Sequence, residues 1–99
     1  MGYCIPIVQT KIEQMPEIMQ SIGLPVISSE TRPDGDYFFC KNPKRPRARW
    51  VFWITPEEEG RPRFFKCGLS RFSQSVVRSL ASSGIFETVA QDHPTPDRG

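Results

Sequence analysis

One histidine, three cysteines and no C-x-x-C pair leave this 99-residue chain short of the groups that metal centres and nucleophilic sites require. Cys4, Cys40 and Cys67 form an odd, widely spaced set, which fits a reducing compartment better than a disulfide framework. A zinc site built from them with His93 would need ligands in close pairs on a turn, and none are close. The thiols are therefore expected to be buried and His93 to sit in a tail, with no metal and no cofactor. The seven glycines are dispersed, and neither G-x-x-x-x-G-K-[ST] nor G-x-G-x-x-G occurs. Glu57, Glu58 and Glu59 are adjacent in a turn and splay outward, so they make no buried acid–base pair, and a hairpin turn accounts for Asp34 and Asp36 around Gly35. The expectation is a protein that is not an enzyme.

No stretch approaches the roughly 18 consecutive apolar residues of a membrane span, and MGYCIPIVQTK lacks a charged segment followed by a long apolar one. Gly2 and Cys4 resemble an acylated N-terminus, but Pro6 stands where a myristoylation signal needs Ser or Thr. A cytoplasmic protein with no membrane contact is expected.

What the chain does have is concentrated. Eight of its eleven aromatic residues lie within 37–71. From 41 to 71, Lys41, Lys44, Arg45, Arg47, Arg49, Arg61, Arg63, Lys66 and Arg71 face only Glu57, Glu58 and Glu59, whereas acidic residues outnumber basic ones elsewhere. The formal charge of +2 thus conceals a polarised molecule, a property that bears on partners and not on fold.

An apolar content of 37% with both charge signs interspersed is close to the ordinary globular mix, and the length leaves room for one domain. Residues 3–8 read as a strand that Pro6 drives to a sheet edge. Thr10 and Glu13 have the spacing of a capping box, and Ile12, Met15, Ile18, Met19 and Ile22 form an apolar helical stripe closed by Gly23 and Pro25. Pro16 either kinks this helix or starts a shorter one after a capped turn. Strands are expected at 26–29, 37–41, 49–55 and 62–69, with a Pro33-Asp34-Gly35-Asp36 turn and an acidic turn at 57–60. The strand at 49–55 is apolar on both faces, Trp50, Phe52 and Ile54 on one and Val51 and Trp53 on the other, so it belongs inside the sheet. Ser70 caps a second helix with a stripe of Phe72, Val76, Val77, Leu80 and Ala81, ended by Gly84. A last strand at 85–90 precedes a tail at 91–99. The order β-α-β-β-β-β-α-β describes a single α+β domain over 1–90: an antiparallel or mixed sheet of five to six strands with both helices on one face.

With the helices on the face of Phe52, the other face would show Arg49, Val51 and Trp53, with Tyr37, Phe39, Phe64 or Lys66 beside them. Cations neutralise phosphates and flat rings stack on unpaired bases, and both alternate here within single strands. The stretch RPRFFKCGL lacks the spacing of an RNA-recognition motif, and no helix-turn-helix, zinc finger or double-stranded-RNA pattern occurs. Most of the rings are expected in the core, with at least one exposed. Lys44, Arg45, Arg47, Arg49, Trp53, Arg61, Arg63 and Lys66 are the expected contact residues, acting by occupancy on a nucleic acid or nucleoprotein. The alternative is an inhibitor or adaptor that binds an acidic protein surface, such as one encoded by a phage or another mobile element, because Trp, Tyr, Phe and Arg also dominate protein interfaces.

Overall fold

The fold was obtained as a computed structural model, which describes residues 2–45 and 47–87. Five strands, β1 (Gly2–Pro6), β2 (Val26–Arg32), β3 (Gly35–Lys41), β4 (Arg49–Ile54) and β5 (Phe64–Gly68), form one antiparallel sheet in the order β1-β5-β4-β3-β2. The helices are α1 (Met15–Ser21), preceded by a 3-10 helix at Gln9–Gln14, and α2 (Arg71–Ser82). β4 holds the middle of the sheet, as its apolar residues on both faces require, and β1 with its Pro6 is an edge.

Alternation along β4 sorts the two faces. Trp50, Phe52 and Ile54 are buried, whereas Arg49 is exposed and Val51 and Trp53 are half-buried. Cross-strand partners share a face, so Phe38, Cys40, Phe65 and Cys67 join the buried side through their pairings with β4. Met15 and Met19 from α1, and Val76 and Leu80 from α2, complete one continuous core with these residues. Both helices therefore cover the same face. The register also places Phe38 opposite Phe52, their rings stacked at 4.9 Å between centroids, and Phe65 stacks on Phe52 at 5.2 Å.

Local chemistry sets the element ends. Pro16 has no N–H to offer the Ile12 carbonyl, which instead accepts from Met15 three residues on, so the chain stays in a 3-10 turn until α1 begins with Pro16 in its first turn. The expected Thr10–Glu13 capping box does not form: the turn starts two residues earlier, with Val8 as cap and no side-chain cap bond. At the other end of α1 the Leu24 N–H reaches the Met19 carbonyl (2.9 Å) and the Gly23 N–H that of Gln20 (3.0 Å), a Schellman closure that needs the positive φ of Gly23. In the β2–β3 turn Gly35 is required by space as well, since a Cβ there would fall 2.3 Å from the Ile54 carbonyl oxygen.

Ser70 caps α2 by accepting the Ser73 N–H at 3.0 Å. The buried face of α2 differs from its apolar stripe at two places. Ala81 is exposed, and Ser73 is buried because its hydroxyl accepts the Trp50 indole N–H at 2.9 Å. Beyond α2, Phe86 forms an isolated bridge with Ile7 and packs edge-on against Phe65. Residues 88–90 of the strand expected at 85–90, and the tail at 91–99 with His93, lie outside the described residues. Among the described residues no helix is long and apolar enough to cross a membrane.

Leu80 is wholly buried at the centre of the α2 contact. Leu80→Ala is expected to cost about 2–5 kcal/mol, the usual range for emptying such a site. Urea unfolding measures it, and a loss under about 1 kcal/mol would contradict the packing described.

Candidate functional site

The face of the sheet away from the helices carries a row of directly opposed residues, one from each strand: Cys4, Lys66, Trp53, Tyr37 and Glu30. The Trp53 and Tyr37 rings stand face to face, 5.1 Å between centroids and 6° between planes. The Arg32 guanidinium lies over Tyr37, its Cζ 4.3 Å from that ring centroid and 5.9 Å from the centroid of Phe39. A column Arg32–Tyr37–Trp53 thus runs across three strands, favoured by cation–π attraction at one end and ring stacking at the other. Two carboxylates hold it in place. Glu30 accepts from Arg32 Nε at 2.6 Å, and Asp34 accepts from the Tyr37 hydroxyl at 2.6 Å. The guanidinium keeps Glu30 below the usual carboxylate range, and the hydrogen bond to Asp34 raises Tyr37 above that of an ordinary phenol.

Val51 opposes Phe39 and Arg49 opposes Lys41 on the same face, so the row of rings continues into a pair of cations towards the 42–48 loop. The outward-facing set expected from the alternation is the one observed. Full exposure of a ring is not. Tyr37, Phe39, Trp53 and Phe64 are all half-buried, the first three beside the ring or guanidinium of a neighbour on the face.

The eight expected contact residues fall into three places. Lys44, Arg45, Arg47 and Arg49 cluster at the β3–β4 end, with Trp53 and Lys66 in the middle of the open face. None of these five cations has an acidic partner among the described residues. Lys44 and Arg45 also line a concave site of about 510 Å³ with Arg71, next to the start of α2. Arg61 and Arg63 lie in the loop at the opposite end of β4, apart from that cluster. Arg61 pairs with Glu58 at 3.7 Å in a loop that contains all three consecutive glutamates. Arg63 is the clearest departure. It precedes β5 on the parity of Phe65, its guanidinium donates to Asp36 Oδ2 (3.0 Å) and to the Thr55 carbonyl (2.8 Å), and only 12% of the side chain is exposed. Arg63 ties the β4–β5 loop to β3. The positive end of the molecule is therefore the 42–48 loop.

Arg32 is the residue that charge counting passed over, since it lies outside 41–71. Its alternation with Glu30 on β2 was the available signal, and the register that sets it over Tyr37 was not.

Cys40 and Cys67 are buried in the core and Cys4 is exposed on the open face, against the expectation of three buried thiols. Burial pushes the Cys40 thiol up to about 12 and Cys67 to about 11, the latter despite opposing hydrogen bonds from Ser73 and the Tyr3 backbone. Among the described residues no group of three His, Cys, Asp or Glu side chains could hold a metal ion. Compared with known proteins, the chain matches no family model, no curated protein and no solved structure.

A charged disulfide reagent at pH 8 is expected to modify Cys4 rapidly in the native protein and the other two thiols only on unfolding, because thiolate and access are both needed. With folded values raised above the ordinary 9.0, the thiol contribution to stability is complete below about pH 9 and is lost towards pH 11–12, so urea midpoints should fall across that window. Arg63→Met should cost about 1–2 kcal/mol in urea unfolding through the lost charged hydrogen bonds.

Proposed function

We propose that this protein binds single-stranded nucleic acid by occupancy, laying the strand across the helix-free face of the sheet. The observation that carries the reading is that face itself: a column of stacked rings, continued by cations that have no acidic partner among the described residues. Rings on a flat sheet give unpaired bases something to stack on, and Lys66, Arg49, Lys41 and the 42–48 cluster would follow the phosphates. The interface would be sequence-tolerant, because every base has a π face while the observed face offers few hydrogen-bonding groups at its centre. The act would be binding without turnover, and the three uncrosslinked cysteines are compatible with a cytoplasmic setting.

Fluorescence anisotropy with a labelled twelve-nucleotide dT oligomer tests this. Each neutralised phosphate on a single strand contributes about −0.7 to the slope of log K against log salt, so engagement of Lys44, Arg45, Arg47, Arg49 and Lys66 would give roughly −3.5. Joint reversal of Arg45, Arg47 and Arg49 to Glu is expected to abolish binding at moderate salt. No binding by wild type at low ionic strength would overturn the proposal and leave the acidic-protein partner, for which the same reversals would act on association rate.

A further inference from the structure

Trp53 has one ring face covered by Tyr37, on the β3 side. Its other face is turned towards β5, where a cavity of about 420 Å³ opens, lined by Trp53, Lys66 and Gly68 with Gly2 and Cys4 of β1. The column Arg32–Tyr37–Trp53 is thus closed at the cationic end and open at the indole end.

Gly68 is what keeps it open. Gly23, Gly35, Gly60 and Gly84 have positive φ, which explains their identity. At Gly2 a Cβ would lie 2.2 Å from the Cys67 carbonyl oxygen, so backbone approach explains that residue. Gly68 has neither reason. Its φ lies outside the left-handed region and a Cβ there would meet no heavy atom within 4 Å. It lies within β5, where glycine weakens a strand, on the parity of Phe64 and Lys66 and therefore on the open face. The structure has no internal need for glycine at this position, and the space it leaves adjoins the free face of an indole.

We infer that this cavity is a slot for one unpaired nucleobase, which extends the stack on Trp53 over the floor formed by Gly68 while Lys66 meets the adjoining phosphate. A planar, weakly polar ring fits the setting: an aromatic face on one side, a floor without side chains, and a cation at the rim without an acidic partner among the described residues. An aliphatic ligand would leave the open π face without a stacking partner. The slot deepens the nucleic-acid reading and rests on it.

Gly68→Leu fills the slot without strain on the backbone, and an unchanged thermal unfolding transition would verify that the variant folds. The probes are the labelled dT oligomer and an abasic oligomer of equal length, compared at low salt. Wild type should bind the dT oligomer about tenfold or more tightly than the abasic one, and Gly68→Leu, like Trp53→Ala, should lose that preference while still binding both through phosphates. Folded Gly68→Leu that retains the wild-type preference would overturn the slot. Equal binding of both oligomers by wild type would overturn the slot and the base stacking of the broader reading, leaving only its phosphate contacts. Binding of neither would remove both.

Discussion

The stacked rings of Phe38, Phe52 and Phe65 across the middle of the sheet are the constraint on which the rest of the structure depends. Three large apolar side chains on adjacent strands must be covered, and the two short helices supply most of the cover, with Leu24, Ile85 and Phe86 beside them. α1 brings Met15 and Met19 to them, α2 brings Val76 and Leu80, and among the described residues no helix covers the opposite face. In a domain this small the ratio of surface to interior makes such an outcome natural. The open face is thus a consequence of how the core is filled.

That face nonetheless has to remain compatible with water. The lateral arrangement of its side chains does this: Tyr37 and Trp53 cover each other, Arg32 covers Tyr37, and Glu30 and Asp34 fix both polar ends. Aromatic surface is hidden sideways and not beneath a layer, which leaves ring faces at the end of the column available. The charge distribution has a similar logic. At one end of β4, Arg61 is matched by Glu58 and Arg63 by Asp36, while at the other end the 42–48 cations have no such match among the described residues. The molecule is polar along its central strand.

Much of the architecture was legible in the chain because it depends on local chemistry. The double-sided apolar pattern at Trp50–Ile54 marks a central strand, Ser70 and Gly84 bracket α2, and the Pro33-Asp34 turn pairs its neighbours. Pro16 offered two readings, and the missing N–H decided for the shorter helix. What could not be read depends on register. Arg63 looks like any cation in a basic stretch until the fold brings Asp36 within 3.0 Å of it, 27 positions away. Ser73 interrupts an apolar stripe and becomes intelligible only opposite the Trp50 indole. The Thr10–Glu13 spacing failed for a different reason, since the tight turn imposed by Pro16 moves the cap to Val8. At the site the residue types were legible, whereas the order of the column and the space over Gly68 were not.

On this reading the two faces of the sheet have separate duties, one for the core and one for a ligand. The two tryptophans on β4 report on them independently: the buried Trp50 indole bonded to Ser73 on one side, and Trp53 on the other. The decisive measurement is a proton–nitrogen NMR titration of the labelled protein with the dT oligomer, following the two indole N–H signals and the Gly68 amide. The Trp53 and Gly68 signals are expected to move together with those of Arg49 and Lys66 while the Trp50 indole signal stays in place. Movement of Trp50 and the α2 amides with a stationary Trp53 would contradict it.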